Sequence, residues 1–430
     1  RPGSDGALAL GMCRYLLDNG LVDRDFVNNY SHGYTEFEAY LRQQVTVEWA
    51  AEICGLSADV IRTLAEEFTR AKPSTVWIGY GMQRHVNGGV NVRAIDAFVA
   101  MTGNIGLEGG GVRYGHLQTW GFNYALMSHK PPAGSIGIKG AGGPVGEFVS
   151  DSAEESEYSD RALNINQTAQ GILDASEPPV RLLWVASKNP FAQDFDRNKM
   201  EKAFAKLEMV VVVDQFFNET VQHADIVLPV TTTFEQWDVC SSYWHYWLSV
   251  NEPAIKPLYE CKSDPEIAAL LSAAINKIES GSCTFPQEFN PKKWLDEEFN
   301  DELATQFGIR NWEDLLAGPH KAKMPSTSAW YDRKFKTPSG KYEFKSERCV
   351  ANGHTALPEY KEPAKSELPF HLFTPHLQYG LHSQFVNLDW MQTFWPEPFV
   401  YMHPLAASKK GIAEGDKVRV FNAAGDVELR

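Results

Sequence analysis

The sequence predicts an α/β protein in which two parallel-sheet layers precede a β-rich segment. Three observations carry this. The runs "RLLWVA", "MVVVVD" and "ADIVLP" are short, continuous and apolar, and helical or turn material separates them, which is how strands buried on both faces of a helix-covered parallel sheet read. Upstream, "TVWIGYG", a helical stretch and the glycine-rich "TGNIGLEGGGV" follow one another in the grammar of an α/β layer. From Leu368 onward the character changes to β-rich.

The first helix is predicted over residues 4 to 19, with Ser4 or Asp5 as cap, Ala7, Leu10, Cys13 and Leu17 on one side, and Gly20 at the stop. A second runs from about Ala58 to Ala71, begun by Ser57 and ended before Pro73. After the strand at "TVWIGYG" a helix follows from about Val90 to Met101. Residues from about Thr119 to Glu177, with "GIKGAGGPVG" and the acidic "SDSAEESEYSD", are expected to form a long loop. A helix near Arg197 to Leu207 lies between the first two apolar runs. "SDPEIAALLSAAINKIE" is a helix capped by Ser263, with Pro265 in its first turn. Residues 285 to 365 form a connector with helices around Trp294 to Phe307 and a turn at "TPSG". Beyond it "LPFHLFT", "FVYMH" and "DKVRVFNAAGDVEL" read as strands, with "NAAGD" as a hairpin turn. The expected units are 1–118, 119–284, a connector 285–367, and 368–430.

At 430 residues the chain exceeds one core. Its net charge of -15 argues against nucleic acid as a partner, since phosphate backbones call for a basic face. A small anion held by backbone N–H groups stays open. Cys13, Cys54, Cys240, Cys261, Cys283 and Cys349 are scattered without a C-x-x-C pair, so they read as small buried or incidental thiols. The chain begins without Met and ends in the strand-like "GDVELR", so it is expected to be an internal fragment.

Ligands of open parallel sheets bind beyond the carboxyl ends of the strands, and Asp214 falls at such an end. A carboxylate there accepts two N–H bonds from a guanine edge or binds ribose hydroxyls; equally, it caps the turn that holds Phe216 or Phe217. Asp225, before an apolar run, reads as a strand-start or cap residue. Lys188, Asn189 and Gln193 end the preceding strand in "VASKNPFAQDFD" and are expected to project into the same crevice, although Asn-Pro is also a common turn. "GYGMQRH" lacks the third glycine of a dinucleotide fingerprint and no G-x-x-x-x-G-K-[ST] occurs, which leaves NAD binding and ATP hydrolysis with little support. Neither H-E-x-x-H nor G-x-S-x-G is present. "TPHLQYGLHSQFVN" sets His376 and His382 among several donors in one loop, a density that suits an anion or pterin contact.

In order along the chain, "PGSDGALALGM", "GLVDRDFV", "TGNIGLEGGGV", "NPFAQDFD", "VVDQFFNETVQHADIVLP", "AIKPLYECKSDPEI", "FKTPSGKYEF" and "GIAEGDKVRVFNAAG" resemble the molybdopterin oxidoreductases of the dimethyl sulfoxide reductase superfamily. The resemblance covers nearly the whole chain apart from roughly 125 to 180 and 285 to 330. It implies a molybdenum or tungsten ion held by two molybdopterin guanine dinucleotides. Each nucleotide would lie on one of two Rossmann-like domains, with a β-barrel of double-psi type closing over the pterins.

By resemblance, Gly79 and Gln83 match cofactor contacts after a strand, Asn189 and Asp214 match those at the second crevice, and Gln236 and Asp264 match two further polar contacts. Thr374, His376, His382 and Ser383 match the barrel loop that wraps a pterin, and Arg113 matches an arginine near the metal in some members. Members carry upstream a cysteine-rich region for a 4Fe-4S cluster and the protein ligand to the metal, so the cluster is expected only outside this chain and the chain alone is expected to be inactive. The implied activity is two-electron oxygen-atom or hydroxyl transfer on a small-molecule substrate. Implied partners are an iron-sulfur electron-transfer subunit and a membrane anchor subunit, in prokaryotic cytoplasm or cell envelope. The competing class is a non-catalytic subunit of the same fold, as in respiratory NADH dehydrogenase.

Overall fold

The apolar side of helix Asp5–Asp18 is buried against helices Val47–Cys54, Ala58–Arg70 and Gly88–Met101, and most of the other elements of the first layer pack around it. Its closeness to Val47–Cys54 depends on Gly11, where a Cβ would lie 2.5 Å from that of Ala50. Ser4 occupies the cap position, yet its hydroxyl turns back to the carbonyl of Arg1 and makes no cap bond. The fully buried Asn91 replaces it, its Oδ1 accepting from the N–H of Gly6 at 3.1 Å. A free donor of the first turn is thus satisfied from another helix. Residues 1–115, 120–127, 163–176, 178–241, 245–363 and 366–430 are described in this computed structural model.

Helix Ala58–Arg70 is capped by the Ser57 hydroxyl, which accepts from Val60 N–H at 3.3 Å. Strand Thr75–Trp77 then pairs in parallel with Gly111–Arg113, and helix Gly88–Met101 joins the two as the crossover. Buried Asn104 ties the unit together: its Oδ1 accepts from Ser74 N–H at 2.8 Å and its amide donates to Thr102 at 2.8 Å. A distant segment completes this core. Tyr342–Glu343 pairs in parallel with Ser31–His32, and Phe344 stacks on Phe37 with ring centres 5.1 Å apart.

The second sheet has the order Leu182–Ala186, Met209–Asp214, Ile226–Pro229, all parallel. "RLLWVA" and "VVVVD" are neighbours, as the sequence predicts. Val185, Val210 and Val212 share one cluster with Phe191, Met200 and Phe204 of the helical layer. Burial on both faces holds only for the central strand, where Val210 to Val213 are all buried; Leu182 is 52% exposed and Ile226 42%. In a three-stranded sheet only the middle strand has a neighbour on each side, and the helical cluster lies on the Val210–Val212 face. Most of the long-loop expectation for 119 to 177 falls outside the described residues; within them it is corrected by helix Thr168–Asp174, whose Ala169 and Ile172 are buried in the same cluster because their apolar side packs on the helix Arg197–Lys206.

Antiparallel strands Asp238–Ser241, Trp247–Asn251 and His320–Lys321 form a third layer, whose core joins Leu248 to Trp120, Leu303 and Phe307. Helix Asp264–Ile278 starts with a capping box in which Ser263 and Glu266 bond reciprocally. Helices Pro291–Glu298 and Asp301–Phe307 and the Thr337–Gly340 turn also stand where the sequence places them.

Beyond Leu368 the expectation of several strands is met in part. The hairpin Val418–Phe421 with Asp426–Leu429 forms, closed by Asn422 N–H to the Gly425 carbonyl at 2.9 Å. "LPFHLFT" and "FVYMH" form no strand, although Val400 N–H reaches the Arg430 carbonyl at 2.8 Å. Alternating apolar residues favour a pleated surface but make a strand only beside a ladder partner.

Asn91→Ala removes the acceptor for Gly6 N–H inside a packed interface and is expected to destabilise the fold by about 2 kcal/mol. The urea unfolding midpoint measures this, with the exposed Asn29→Ala as a control that leaves it in place.

Candidate functional site at the carboxyl ends of two parallel sheets

In the first sheet Trp77 stands opposite Arg113, and Ile78 N–H continues the ladder to the Arg113 carbonyl at 2.9 Å. The chain then turns through Gly79 into the short helical turn Tyr80–Arg84. A Cβ built at Gly79 or Gly81 would meet no atom within 4 Å, so the backbone there faces open space. The Gln83 side-chain carbonyl accepts from the Tyr114 hydroxyl at 3.0 Å, and the Tyr80 and Tyr114 rings lie 5.9 Å apart. Gly79, Gln83 and Arg113 are therefore gathered at one carboxyl edge.

At the second edge Asp214 ends the central strand. Its Oδ1 accepts from Phe216 N–H at 3.0 Å and its Oδ2 from the Asn218 amide at 2.7 Å. The turn-cap geometry is thus present. A carboxylate has about four acceptor positions, so two stay available beside the exposed rings of Phe216 and Phe217. Asp225 accepts from Val210 N–H at 2.7 Å and holds the start of the central strand.

Asn189 differs from the expectation that it projects into the crevice. It is buried, its Oδ1 accepting from Thr220 at 2.6 Å and its amide donating to Glu219 at 3.0 Å. That bond holds the Glu219 carboxyl below the usual range. Gln193 is spent on Asn189 N–H at 3.0 Å, and Lys188 pairs with Asp194 at 2.8 Å. The cause is the same throughout: the turn after the strand has its own donors and acceptors to satisfy, and these side chains are nearest.

Gln236 is reached through a relay of bonds. Gln215 donates to the Thr231 carbonyl at 3.0 Å, and the Thr231 hydroxyl donates to Gln236 at 2.7 Å. Thr231 N–H also bonds the Lys262 carbonyl at 3.1 Å, which brings the start of the Asp264 helix to the end of strand Ile226–Pro229. Asn189, Asp214, Gln236 and Asp264 thus share one edge. The exposed loop with Thr374, His376, His382 and Ser383 closes on itself: His376 Nδ1 lies 3.1 Å from the Gly380 carbonyl and the two imidazoles are 5.9 Å apart.

Sequence reading missed one cluster. Asp96, three residues beyond Arg93 on helix Gly88–Met101, is hydrogen-bonded to Tyr342 beneath a cavity of about 460 Å³. Burial pushes its carboxyl up to about 6, against the pull of Tyr342 and Arg93. The only signal was an acid on the apolar side of a helix, and its partner lies 246 positions away, as 342 less 96.

Each of the two parallel sheets gathers polar groups at its carboxyl edge, and the first adds open backbone at Gly79; this is the edge at which open α/β sheets take their ligands. Models of known families match accordingly: "Molybdopterin oxidoreductase" over residues 1–274 and "Molydopterin dinucleotide binding domain" over 370–430. The chain belongs to the molybdopterin oxidoreductase family, within the dimethyl sulfoxide reductase superfamily. It is 31% identical over 471 residues to the dimethyl sulfoxide/trimethylamine N-oxide reductase of Cereibacter sphaeroides, covering 99% of this chain and 56% of that protein. It is 30% identical over 432 residues to "Probable oxidoreductase YoaE" of Bacillus subtilis, covering 100% and 59%. In fold it is similar to acetylene hydratase from Pelobacter acetylenicus, with a TM-score of 0.72 at 20% identity over 100% of this chain and 61% of that one. The chain thus spans between 56% and 61% of the length of these proteins.

Asp96 gives a pH dependence of defined sign. Its folded pKa of about 6 lies above the ordinary carboxyl value of 3.8, so the folded state binds the extra proton between those values. Stability from this group therefore rises as pH falls from about 6 to about 4 and is lost as pH rises through 6. Asp96→Asn keeps an acceptor for Tyr342 without the charge. Melting curves are expected to place the variant above the wild type at pH 8, with the difference vanishing at pH 4.

Proposed function

We propose that the chain forms part of a molybdenum or tungsten oxidoreductase that holds two molybdopterin guanine dinucleotides and carries out two-electron oxygen-atom or hydroxyl transfer on a small substrate. In the reductive direction the balance is XO + 2H⁺ + 2e⁻ → X + H₂O. The observation that supports it best is the second edge, where a strand-end carboxylate with free acceptor positions stands beside two exposed aromatic rings. Carboxylate and rings suit the N–H edge and the face of a guanine.

In this reading residues 1–118 and 119–284 are the two nucleotide-binding units, joined through 285–367 to a pterin-covering barrel that begins at 368. The residues present fit the cofactor. Open backbone at Gly79 admits a close ligand, and Gln83 offers its amide N–H₂, its carbonyl being bound to Tyr114. Asp214 orients the base. Asn189 holds the Glu219–Thr220 segment against the turn after the first strand, which keeps the Asp214 loop in shape. Gln236 and Asp264 add polar contacts along the same edge, and the loop from Thr374 to Ser383 lies over a pterin. Arg113 brings a fixed positive charge towards a developing negative oxygen. When bound, the cofactor supplies the two-electron couple. The electrons come from a separate carrier, for which an iron-sulfur subunit with a membrane anchor is the fitting partner.

Asp214→Asn is the direct test in the protein carrying this chain. One oxygen becomes an N–H₂ group facing donors, so a charge-assisted pair with guanine worth about 2 to 3 kcal/mol is lost. Molybdenum (or tungsten) and guanine nucleotide per protein are expected to fall. The melting temperature of cofactor-free material should shift little, since Asn also serves this turn. A large stability loss with unchanged cofactor content would reduce Asp214 to a turn cap.

A further inference from the structure

The cavity above Asp96 is a built site with its own chemistry. The glycine loop and the strap before the Thr337 turn form its walls. Ser328 Oγ donates to the Leu107 carbonyl at 2.8 Å, and Thr327 Oγ1 donates to Glu108 at 3.0 Å. Gly106, at φ +85°, comes so near that a Cβ would lie 2.5 Å from the Trp330 carbonyl oxygen. These contacts hold the strap to the loop. The Trp330 and Phe335 rings, stacked 5.3 Å apart, line one side, and Tyr342 stands edge-on to Phe335 at 6.2 Å.

Charge sets the other property. Arg93, Arg113, Lys336 and Arg348 line the cavity against the acids Asp96 and Glu343. Arg93 offsets Asp96 while its guanidinium donates to the carbonyls of Thr355 and Ala356 at 2.8 and 2.5 Å. Among the described residues Arg113 and Lys336 take part in no ion pair. In a chain of net charge -15 this is a local excess of cations beside an aromatic wall. At about 460 Å³ the space falls in the range of small-molecule pockets.

We propose that this cavity binds a small aromatic carboxylate, its ring against Trp330 and Phe335 and its charge drawn by Arg113 and Lys336. The ring requirement follows from the apolar wall, and the anion requirement from the unpaired cations. The site includes Arg113, which the proposed function also uses, but it does not depend on the metal.

Benzoate is the probe, titrated by calorimetry into the protein carrying this chain, with molybdenum content measured on the same sample. The expected Kd is about 1 mM or tighter. Benzamide, which has the ring without the charge, and acetate, which has the charge without the ring, are each expected to bind about tenfold more weakly. Lys336 is exposed, so Lys336→Met leaves the fold intact, confirmed by an unchanged melting curve. It is expected to weaken benzoate about tenfold and leave benzamide unaffected. Arg113→Met does the same independently. Equal affinity for benzoate and benzamide, equal affinity for benzoate and acetate, no saturable benzoate binding, or full affinity in both variants would each overturn the proposal. A molybdenum-free sample that still binds benzoate through Lys336 sustains the pocket even where the cofactor reading has failed.

Discussion

The parallel register of the central strand Met209–Asp214 governs what the second half of the molecule offers to a ligand. Val213 stands opposite Ala186 on one side and Leu228 on the other, and Asp214 stands opposite Pro229. All three strands therefore run out at the same level. Parallel pairing forces each connection to return across the sheet, so the three outgoing turns share one edge. The polar residues that follow the strands have nowhere else to go. Thr75–Trp77 and Gly111–Arg113 repeat the arrangement on a smaller scale, with Gly79 and Arg113 at the corresponding edge.

That edge is organised before any ligand arrives. Thr220 is fully buried, donating to Asn189 and accepting from Phe191 N–H, and Asn189 in turn holds Glu219. Nearer the surface Asp214 braces the next turn through Phe216 N–H and Asn218, without being fully paired. A buried polar network that is fully paired stiffens its surroundings, because breaking any member strands the others. The expense of such pairing is that Asn189, Gln193 and Lys188 are committed to the turn itself. In the proposed function, recognition at this edge falls to the remaining acceptor positions of Asp214, the exposed rings beside it, Gln236 and Asp264.

Distant segments complete the first layer. The Tyr342–Glu343 strand and Phe344 enter a core built otherwise from the first hundred or so residues, and Arg93 is anchored on carbonyls of residues 355 to 357. Asp96 owes its raised pKa to the same closure, since packing against that segment strips much of the water from its carboxyl although it still lines the cavity. The cavity beside Arg113 exists only because these two parts of the chain meet.

The amino-acid sequence by itself determined the helices and strands whose signals are local: the Ser57 and Ser263 caps, the valine run of the central strand, the turns at "TPSG" and "NAAGD", and the family, through motifs in fixed order. It also placed Asp214, Asn189 and Gly79 near strand ends, because an apolar run that stops at a polar residue marks where a strand leaves the sheet; that Arg113 ends a strand emerged only from the fold. Tertiary structure alone decided which partner each polar group found. Asn91 rather than Ser4 satisfies the first helix, Asn189 faces Glu219 rather than the crevice, and "LPFHLFT" stays without a ladder. Propensity and pattern act over a few neighbouring residues, whereas hydrogen-bond partners, burial and the pKa of a carboxyl such as Asp96 depend on groups hundreds of positions away that only the folded chain brings within a few ångströms.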